Sequence, residues 1–376
     1  MLRNRIFLAF YLGTLTCSYS QDSLHLDGKI DNLENKTVYL SQEVPNGTTI
    51  VVDSTVAEEG QFSFIRKASE PYLFAIEIAD VPGRIMFIWD DSITISGNQD
   101  SVWTATITGS SETELWQRYQ QRYIDPLREK LIKLSGLMHR AMDADDSVAL
   151  ARVSQQQRSI LDSSRVYSVQ LMSERPESFA SLYLLNHEAQ ALGADSTATW
   201  LARLSPYWEK HAIHQHLTEW VSNKQRAGEG NLAPAFTAQT IQGDTISLDS
   251  FRGNYVVLDF WGTWCGPCIA TLPELKAFYQ KNKSKRMTLI SVACEFGNDE
   301  VAMITDVKEF VAEREMSWLH LFENRAEEQQ KRSLIHQYAV SAYPTTILVG
   351  PNGKILSVAQ GRDQVEEMLK KVETML

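Results

Sequence analysis

The chain has 376 residues, of which 43% are apolar and 22% charged, and its formal net charge is −11. That length suffices for two or three domains with cores of their own, and the composition is that of a folded chain. An acidic chain cannot hold a phosphate backbone by counterion release, so nucleic acid is excluded as a partner, and anionic membrane surfaces are disfavoured.

Residues 1–20 stand apart from the rest. Arg3 and Arg5 precede an apolar run, Ile6 to Leu15, that is too short to span a bilayer. Ser18-Tyr19-Ser20 then places small residues where a signal peptidase reads them, so a secretory signal ending at residue 20 is expected, with export to the periplasm. A rival reading makes Cys17 a lipid-attachment cysteine, against which Thr16 is large for a lipobox. No later segment is apolar enough for a membrane helix. Beyond Cys17 only Cys265, Cys268 and Cys294 remain, too few for a disulfide-stapled scaffold and suited to redox work.

Residues 21–110 alternate short apolar runs with turn signals. The runs are Thr37–Leu40, Thr49–Val52, Gly60–Ile65, Leu73–Ile78, Arg84–Ile88 and Ser92–Ser96, with Pro45-Asn46-Gly47 between the first two. This predicts a small antiparallel β sandwich or barrel. Residues 111–228 change to a helical period. Leu115, Tyr119, Tyr123, Leu127 and Leu131 form a stripe, Pro126 should kink or divide the helix, and Arg175-Pro176 and Pro206 mark further breaks. Ser178 is a candidate cap, and about four helices are expected. Ala227-Gly228-Glu229-Gly230 reads as a linker.

Residues 229–376 alternate strand and helix, which predicts a sheet covered on both faces. Tyr255–Phe260 is a buried strand, Ile269–Lys283 a helix, Met287–Ala293 a strand and Asp306–Glu315 a helix. Trp318–Phe322 should be extended and Glu327–Tyr338 helical. Thr345–Val349 and Ile355–Val358 form a hairpin about Pro351-Asn352-Gly353, and a last helix starts near Asp363.

The chemical signal is Trp264-Cys265-Gly266-Pro267-Cys268, directly after a buried strand and opening a helix. Two cysteines at this spacing can close a small disulfide. The first sulfur lies by unpaired helix N–H groups and the positive end of the macrodipole, which favours its thiolate. The second sits in the first turn, placed to attack a mixed disulfide. Trp264, Gly266 and Pro267 shape the rim. Cys294 reads as an inert buried thiol. A zinc site would want a second cysteine pair, and His211, His214 and His216 do not share one helix face, so no metal is expected and a solvated helix surface is the reading for these histidines.

Asp259 through Cys268 resembles the active-site segment of thioredoxins, and most closely the exported TlpA/ResA-like branch. Ala233-Pro234-Ala235-Phe236, Leu248 to Gly253, Pro273 and Tyr343-Pro344-Thr345-Thr346 extend the resemblance over residues 229–376. Asp53-Ser54, Gly60 to Phe64 and Thr108-Gly109-Ser110 resemble the β-rich DUF4369 domain, which implies no activity.

The resemblance implies a thioredoxin fold and a thiol–disulfide oxidoreductase that needs no cofactor, with Cys265 attacking, Cys268 resolving and Pro344 cis beside the disulfide. It implies that Asp259 takes the proton of Cys268, and that Tyr343 offers backbone groups to a bound peptide. Thr271 stands where the family often has Glu. Gly266-Pro267 is the thioredoxin dipeptide, which points to reduction and hence to a membrane thiol donor. Client proteins with disulfides, apocytochrome c among them, are the implied partners. Two alternatives stand: a peroxiredoxin-like peroxidase, and an adaptor whose N-terminal region binds a partner.

Overall fold

A computed structural model describes residues 23–45, 49–143, 146–297, 299–325 and 333–376. The expected signal segment, Cys17, the Asn46-Gly47 turn and the start of the helix expected at Glu327 lie outside the described residues. The chain divides into two compact units, one reaching to Leu171 and including Ser178–Ala180, the other formed by Met172–Glu177 and Ser181–Leu376.

Among the described residues of the first unit, eight strands build two four-stranded sheets. β1 (Ser23–Asp31), β4 (Gln61–Lys67), β7 (Ile93–Asn98) and β8 (Thr106–Thr108) form one in the order β4-β1-β7-β8. β2 (Thr37–Glu43), β3 (Thr49–Val56), β5 (Leu73–Ile78) and β6 (Arg84–Ile88) form the other in the order β3-β2-β5-β6. Alternation places Leu24, Leu26 and Ile30 of β1 and Phe62 and Phe64 of β4 in one core with Phe74, Phe87 and Trp89. Gly28 has no side chain because the Phe62 ring fills that space: a Cβ there would lie 2.1 Å from Phe62 Cζ. The expectation of a purely antiparallel domain needs one correction. β1 and β7 pair in parallel, since the chain leaves this sheet after β4, lays down β5 and β6 in the other, and returns alongside β1 in the same direction.

α1 (Ser111–Tyr119) begins under a Ser110 cap, whose Oγ accepts the Thr113 N–H at 2.8 Å. The break expected at Pro126 is a π-helical segment, Gln120–Ile124, just before α2 (Asp125–Asp143). In the apolar stripe Tyr119 is buried while Leu115, Tyr123, Leu127 and Leu131 are half-buried, and the deepest contacts come from Thr113, Trp116 and Tyr119. Tyr119 and Tyr123 pack against α3 (Ser147–Glu174), through a Tyr119–Ser168 hydrogen bond of 3.0 Å and a Tyr123–Tyr167 stack. α3 stops before Arg175-Pro176. At the start of α4 (Phe179–Leu192) the Glu112 carboxylate accepts from both Ser178 Oγ and the Ala180 N–H, so a carboxylate from α1 serves where Ser178 was expected to cap.

The second unit continues with α5 (Ala194–Leu201), a 3₁₀ turn at Pro206–Lys210, and α6 (Ala212–Arg226). His211 departs from the solvated-surface expectation. It is buried, and its Nδ1 accepts the Ile213 N–H at 3.1 Å, because the residue caps α6 rather than lying on its face.

After the small hairpin β9 (Thr237–Gln239) and β10 (Thr245–Ser247) comes a five-stranded sheet. β11 (Tyr255–Trp261), β12 (Met287–Glu295), β13 (Leu319–Asn324), β14 (Thr345–Val349) and β15 (Ile355–Gln360) take the order β13-β12-β11-β14-β15. β11, β12 and β13 are parallel; β14 pairs antiparallel with β11, and β15 antiparallel with β14. Both faces are covered, so the strands read as near-continuous apolar runs. Val256, Leu258 and Phe260 face a core with Leu334 and Ile335 of α9 (Leu334–Gln337). Val257 and Trp261 face the other, which contains α7 (Gly266–Asn282), α8 (Glu300–Glu313) and α10 (Arg362–Met375). α7 starts three residues earlier than expected, since Cys265 caps it and Gly266-Pro267 occupies its first turn. α8 likewise starts early, under an Asp299 cap. This is the thioredoxin fold.

Candidate active site

β11 ends at Trp261, and a tight turn carries the chain into α7. Cys265 stands at the N-cap with extended backbone angles, and its Sγ accepts the Cys268 N–H at 3.2 Å. The two sulfurs are joined in a disulfide with Cα atoms 5.2 Å apart. Both cysteines are buried, whereas Trp264, Gly266 and Pro267 are exposed around them. A sulfur in this place lies against the unpaired N–H groups of a helix start, which stabilises the thiolate once the disulfide opens. Pro273 sits inside α7, and the Thr271 hydroxyl is taken by the Pro267 carbonyl at 2.8 Å.

Asp259 lies on β11 between Val257 and Trp261, on the sheet face whose core also holds both cysteines. It belongs to a row of polar residues running across that face in register: Thr346 of β14, Asp259, Ser291 of β12 and His320 of β13. Ser291 Oγ donates to Asp259 Oδ2 at 3.0 Å, Thr346 Oγ1 donates to Oδ1 at 3.2 Å, and Trp318 Nε1 donates to Ser291 Oγ at 2.8 Å. Complete burial raises the Asp259 carboxyl to a pKa of about 6, against the two hydroxyl bonds that oppose the shift. His320 Nε2 donates to the Met316 carbonyl, and burial lowers this imidazole to about 4, so it is neutral.

The end of β12 braces the turn from the other side. Glu295 accepts the Thr263 N–H at 2.8 Å and the Thr263 hydroxyl at 2.9 Å. Burial raises its carboxyl, and these bonds oppose the rise. The neighbouring Cys294 carbonyl accepts Trp264 Nε1 at 2.9 Å. To reach it the indole folds over Gly262, where a Cβ would lie 2.5 Å from Nε1. Glu295→Ala leaves the Thr263 N–H without its acceptor. It should cost about 1–3 kcal/mol, read as a lower urea midpoint of the oxidised protein at unchanged slope.

Trp264 also meets two rings, Phe296 at 5.1 Å and Tyr343 at 5.4 Å between centroids. The Tyr343–Pro344 peptide bond is cis. Arg325, just after β13, holds its guanidinium 4.0 Å from the Phe296 ring, 5.1 Å from Tyr343 and 5.5 Å from Trp264. Cys294 is buried, and burial pushes its thiol well above the ordinary range. Among the described residues no cluster of His, Cys, Asp and Glu could hold a metal ion, and no helix is long and apolar enough to cross a membrane.

Sequence reasoning picked out Asp259, Trp264, Cys265, Gly266, Pro267, Cys268, Tyr343 and Pro344. The turn and strand ends hold Trp264, both cysteines and Tyr343 in one packed neighbourhood. It did not find Glu295, Phe296, Arg325, Ser291 or Trp318, nor that Thr346 of the Tyr343–Thr346 segment bonds Asp259, because strand register brings these residues together.

Two parts of the chain match known families. Residues 230–358 match the AhpC/TSA family model, and residues 24–116 match the domain of unknown function DUF4369. The chain is 30% identical over 156 residues to thiol-disulfide oxidoreductase ResA of Bacillus cereus, covering 41% of this chain and 83% of that protein. It is 30% identical over 140 residues to ResA of Bacillus subtilis, covering 37% of this chain and 72% of that one. Among solved structures, the thioredoxin domain of a thiol-disulfide oxidoreductase from Bacteroides vulgatus aligns at 27% identity, covering 39% of this chain and 97% of that domain, with a TM-score of 0.33.

Proposed function

We propose, from the premise that this chain belongs to the family of the thiol–disulfide oxidoreductase ResA, that it is an exported protein that reduces or isomerises protein disulfides through a Cys265/Cys268 dithiol. The observation that carries the reading is the disulfide at the start of α7, with Cys265 as the helix cap. In the reduced protein the Cys265 thiolate attacks one sulfur of a client disulfide and expels the other as a thiolate. Cys268 gives its proton to Asp259 and attacks Cys265 Sγ. That closes the protein's own disulfide and releases the second client sulfur as a thiolate. Two electrons pass to the client, so each turnover needs recharging by a thiol donor. A membrane thiol carrier fits that need, and apocytochrome c is a fitting client.

Export rests on the character of residues 1–20. Residues 21–110 and 111–228 serve placement or client holding in this reading, and residues 229–376 the chemistry.

The test is the reduction potential of the Cys265–Cys268 couple in the full chain, equilibrated with a defined thiol buffer. A value of about −250 mV or lower is expected of a reductase fed by a strong donor. A value between about −180 and −120 mV would overturn net reduction in favour of oxidation or isomerisation. A second reading, a peroxiredoxin-like peroxidase, draws on the AhpC/TSA match. It requires the reduced chain to consume hydrogen peroxide at a rate that competes with disulfide reduction.

A further inference from the structure

Asp259 is held by two hydroxyls, and one of them is itself oriented by a further side chain. An indole N–H only donates, so Trp318 Nε1, at 2.8 Å, occupies a lone pair of Ser291 Oγ. An ionised carboxyl only accepts, so the Ser291 proton goes to Asp259 Oδ2 at 3.0 Å. Trp318, Ser291 and Asp259 thus form a chain of two bonds running one way, each polarising the next. All three side chains are buried, where such bonds are strongest. The indole is fixed by its neighbours, the Tyr279 and His320 rings, each 5.4 Å away between centroids. A hydrogen bond to a charged acceptor is worth more than one to a neutral carboxyl, so the chain favours the ionised form of Asp259 against its burial.

We propose that Ser291, oriented by Trp318, is a positioning residue for the resolving step, holding Asp259 as the acceptor of the Cys268 proton and so setting the pH at which resolution turns on. The inference rests on the reading above, in which Asp259 takes that proton. The step itself is unchanged. The Cys268 S–H proton passes to the Asp259 carboxylate, Cys268 Sγ bonds to Cys265 Sγ, and the bond from Cys265 to the client breaks, with the client sulfur leaving as a thiolate. Ser291 acts only through Asp259. The other titratable groups of this core do not compete in the pH range concerned. On α7, Cys265 and Cys268 are joined in the disulfide, and Tyr279 at the core margin is uncharged below pH 8, as are Tyr255 of β11 and Tyr343 beside β14. On β13, His320 is neutral. The buried residues that α8 and α10 bring to this core are apolar.

The test follows two quantities in the full chain. One is the titration of the Asp259 carboxyl in the oxidised protein, read by carbon-13 NMR of labelled aspartate and assigned by its absence in Asp259→Asn. The other is single-turnover release of a client thiol from a mixed disulfide between pH 5 and 8. Ser291→Ala removes a donor to the carboxylate, so both midpoints should rise by about one pH unit from about 6. Release at pH 5 should fall about tenfold, while the plateau near pH 8 is kept. Loss of packing alone would instead slow release equally at every pH. Ser291→Thr retains the hydroxyl and should restore both midpoints. Trp318→Phe leaves Ser291 in place and should move them the same way by less, which keeps the test open if Ser291→Ala does not fold. In an Asp259→Asn background, adding Ser291→Ala should change no pH dependence. A carboxyl titration that Ser291→Ala and Trp318→Phe leave unmoved overturns the proposal. A carboxyl titration that moves while the release profile does not overturns the reading of Asp259 as the proton acceptor.

Discussion

A chain carrying Cys268→Ser is expected to stall covalently on its client. Cys265 remains at the N-cap of α7, where helix N–H groups stabilise its thiolate, so the first attack proceeds. The second does not, because the serine hydroxyl at the old Cys268 position is neither thiolate nor acidic enough to displace a sulfur. The mixed disulfide should accumulate to nearly one equivalent per chain and disappear on adding thiol, visible by non-reducing electrophoresis and intact mass. Cys265→Ser should instead give no adduct and lose at least about a thousandfold in disulfide reduction, the scale on which loss of a nucleophile acts. Both cysteines are buried at a helix start and bonded to one another, so neither serine creates a large cavity, and the fold should persist. If Cys268→Ser turned over like the unaltered chain, a resolving role for Cys268 would be wrong, and Cys294 would have to supply the second sulfur. Its burial and raised thiol pKa argue against that.

The parts of this molecule that were legible in the sequence share a physical property: they are encoded within one turn or one strand. Short apolar runs separated by turn signals marked the strands from Thr37 to Ser96, and the Trp264–Cys268 segment carries its own geometry, since an N-cap and the first turn need only consecutive residues. What was not legible depends on register. Nothing near Asp259 in the chain says that Ser291 and Thr346 will flank it, because those partners are set by how β12 and β14 align with β11. The same holds for Glu295 and Arg325, which lie at the ends of strands whose lengths decide what they meet. His211 misled for a related reason. Helical spacing placed it on a surface, but the helix begins one residue later, and a capping side chain obeys the geometry of the helix end rather than its faces. The parallel pairing of β1 and β7 is equally invisible locally, since an apolar run looks alike in either strand direction.

Asp259→Asn should separate the acid's kinetic role from its structural cost. In the unaltered protein the folded-state pKa, about 6, lies above the ordinary value of 3.8. Between those two values the folded chain holds a proton that the unfolded chain has released. Stability therefore falls as pH rises from about 4 to 6, and the penalty, about 3 kcal/mol, stays constant above that window. Asparagine carries no charge to bury, and the hydroxyls of Ser291 and Thr346 can rotate to meet it. The variant should thus be more stable than the unaltered chain at pH 7, by about 1–3 kcal/mol, with the gain vanishing near pH 4. Catalysis should move the opposite way. The carboxylate that receives the Cys268 proton exists only above about pH 6, so resolution of a preformed mixed disulfide should accelerate through that pH in the unaltered chain. With Asp259→Asn the step should slow by about a hundredfold at pH 7 and lose that inflection. Single-turnover release of a client thiol, followed from pH 5 to 8, measures this directly. A variant that gains stability but resolves at the unaltered rate would make Asp259 a core acid held by its two hydroxyls, with no part in the transfer. A variant that loses both stability and rate would mean that the polar row across β14, β11, β12 and β13 holds the sheet together. The proton of Cys268 would then leave by another route.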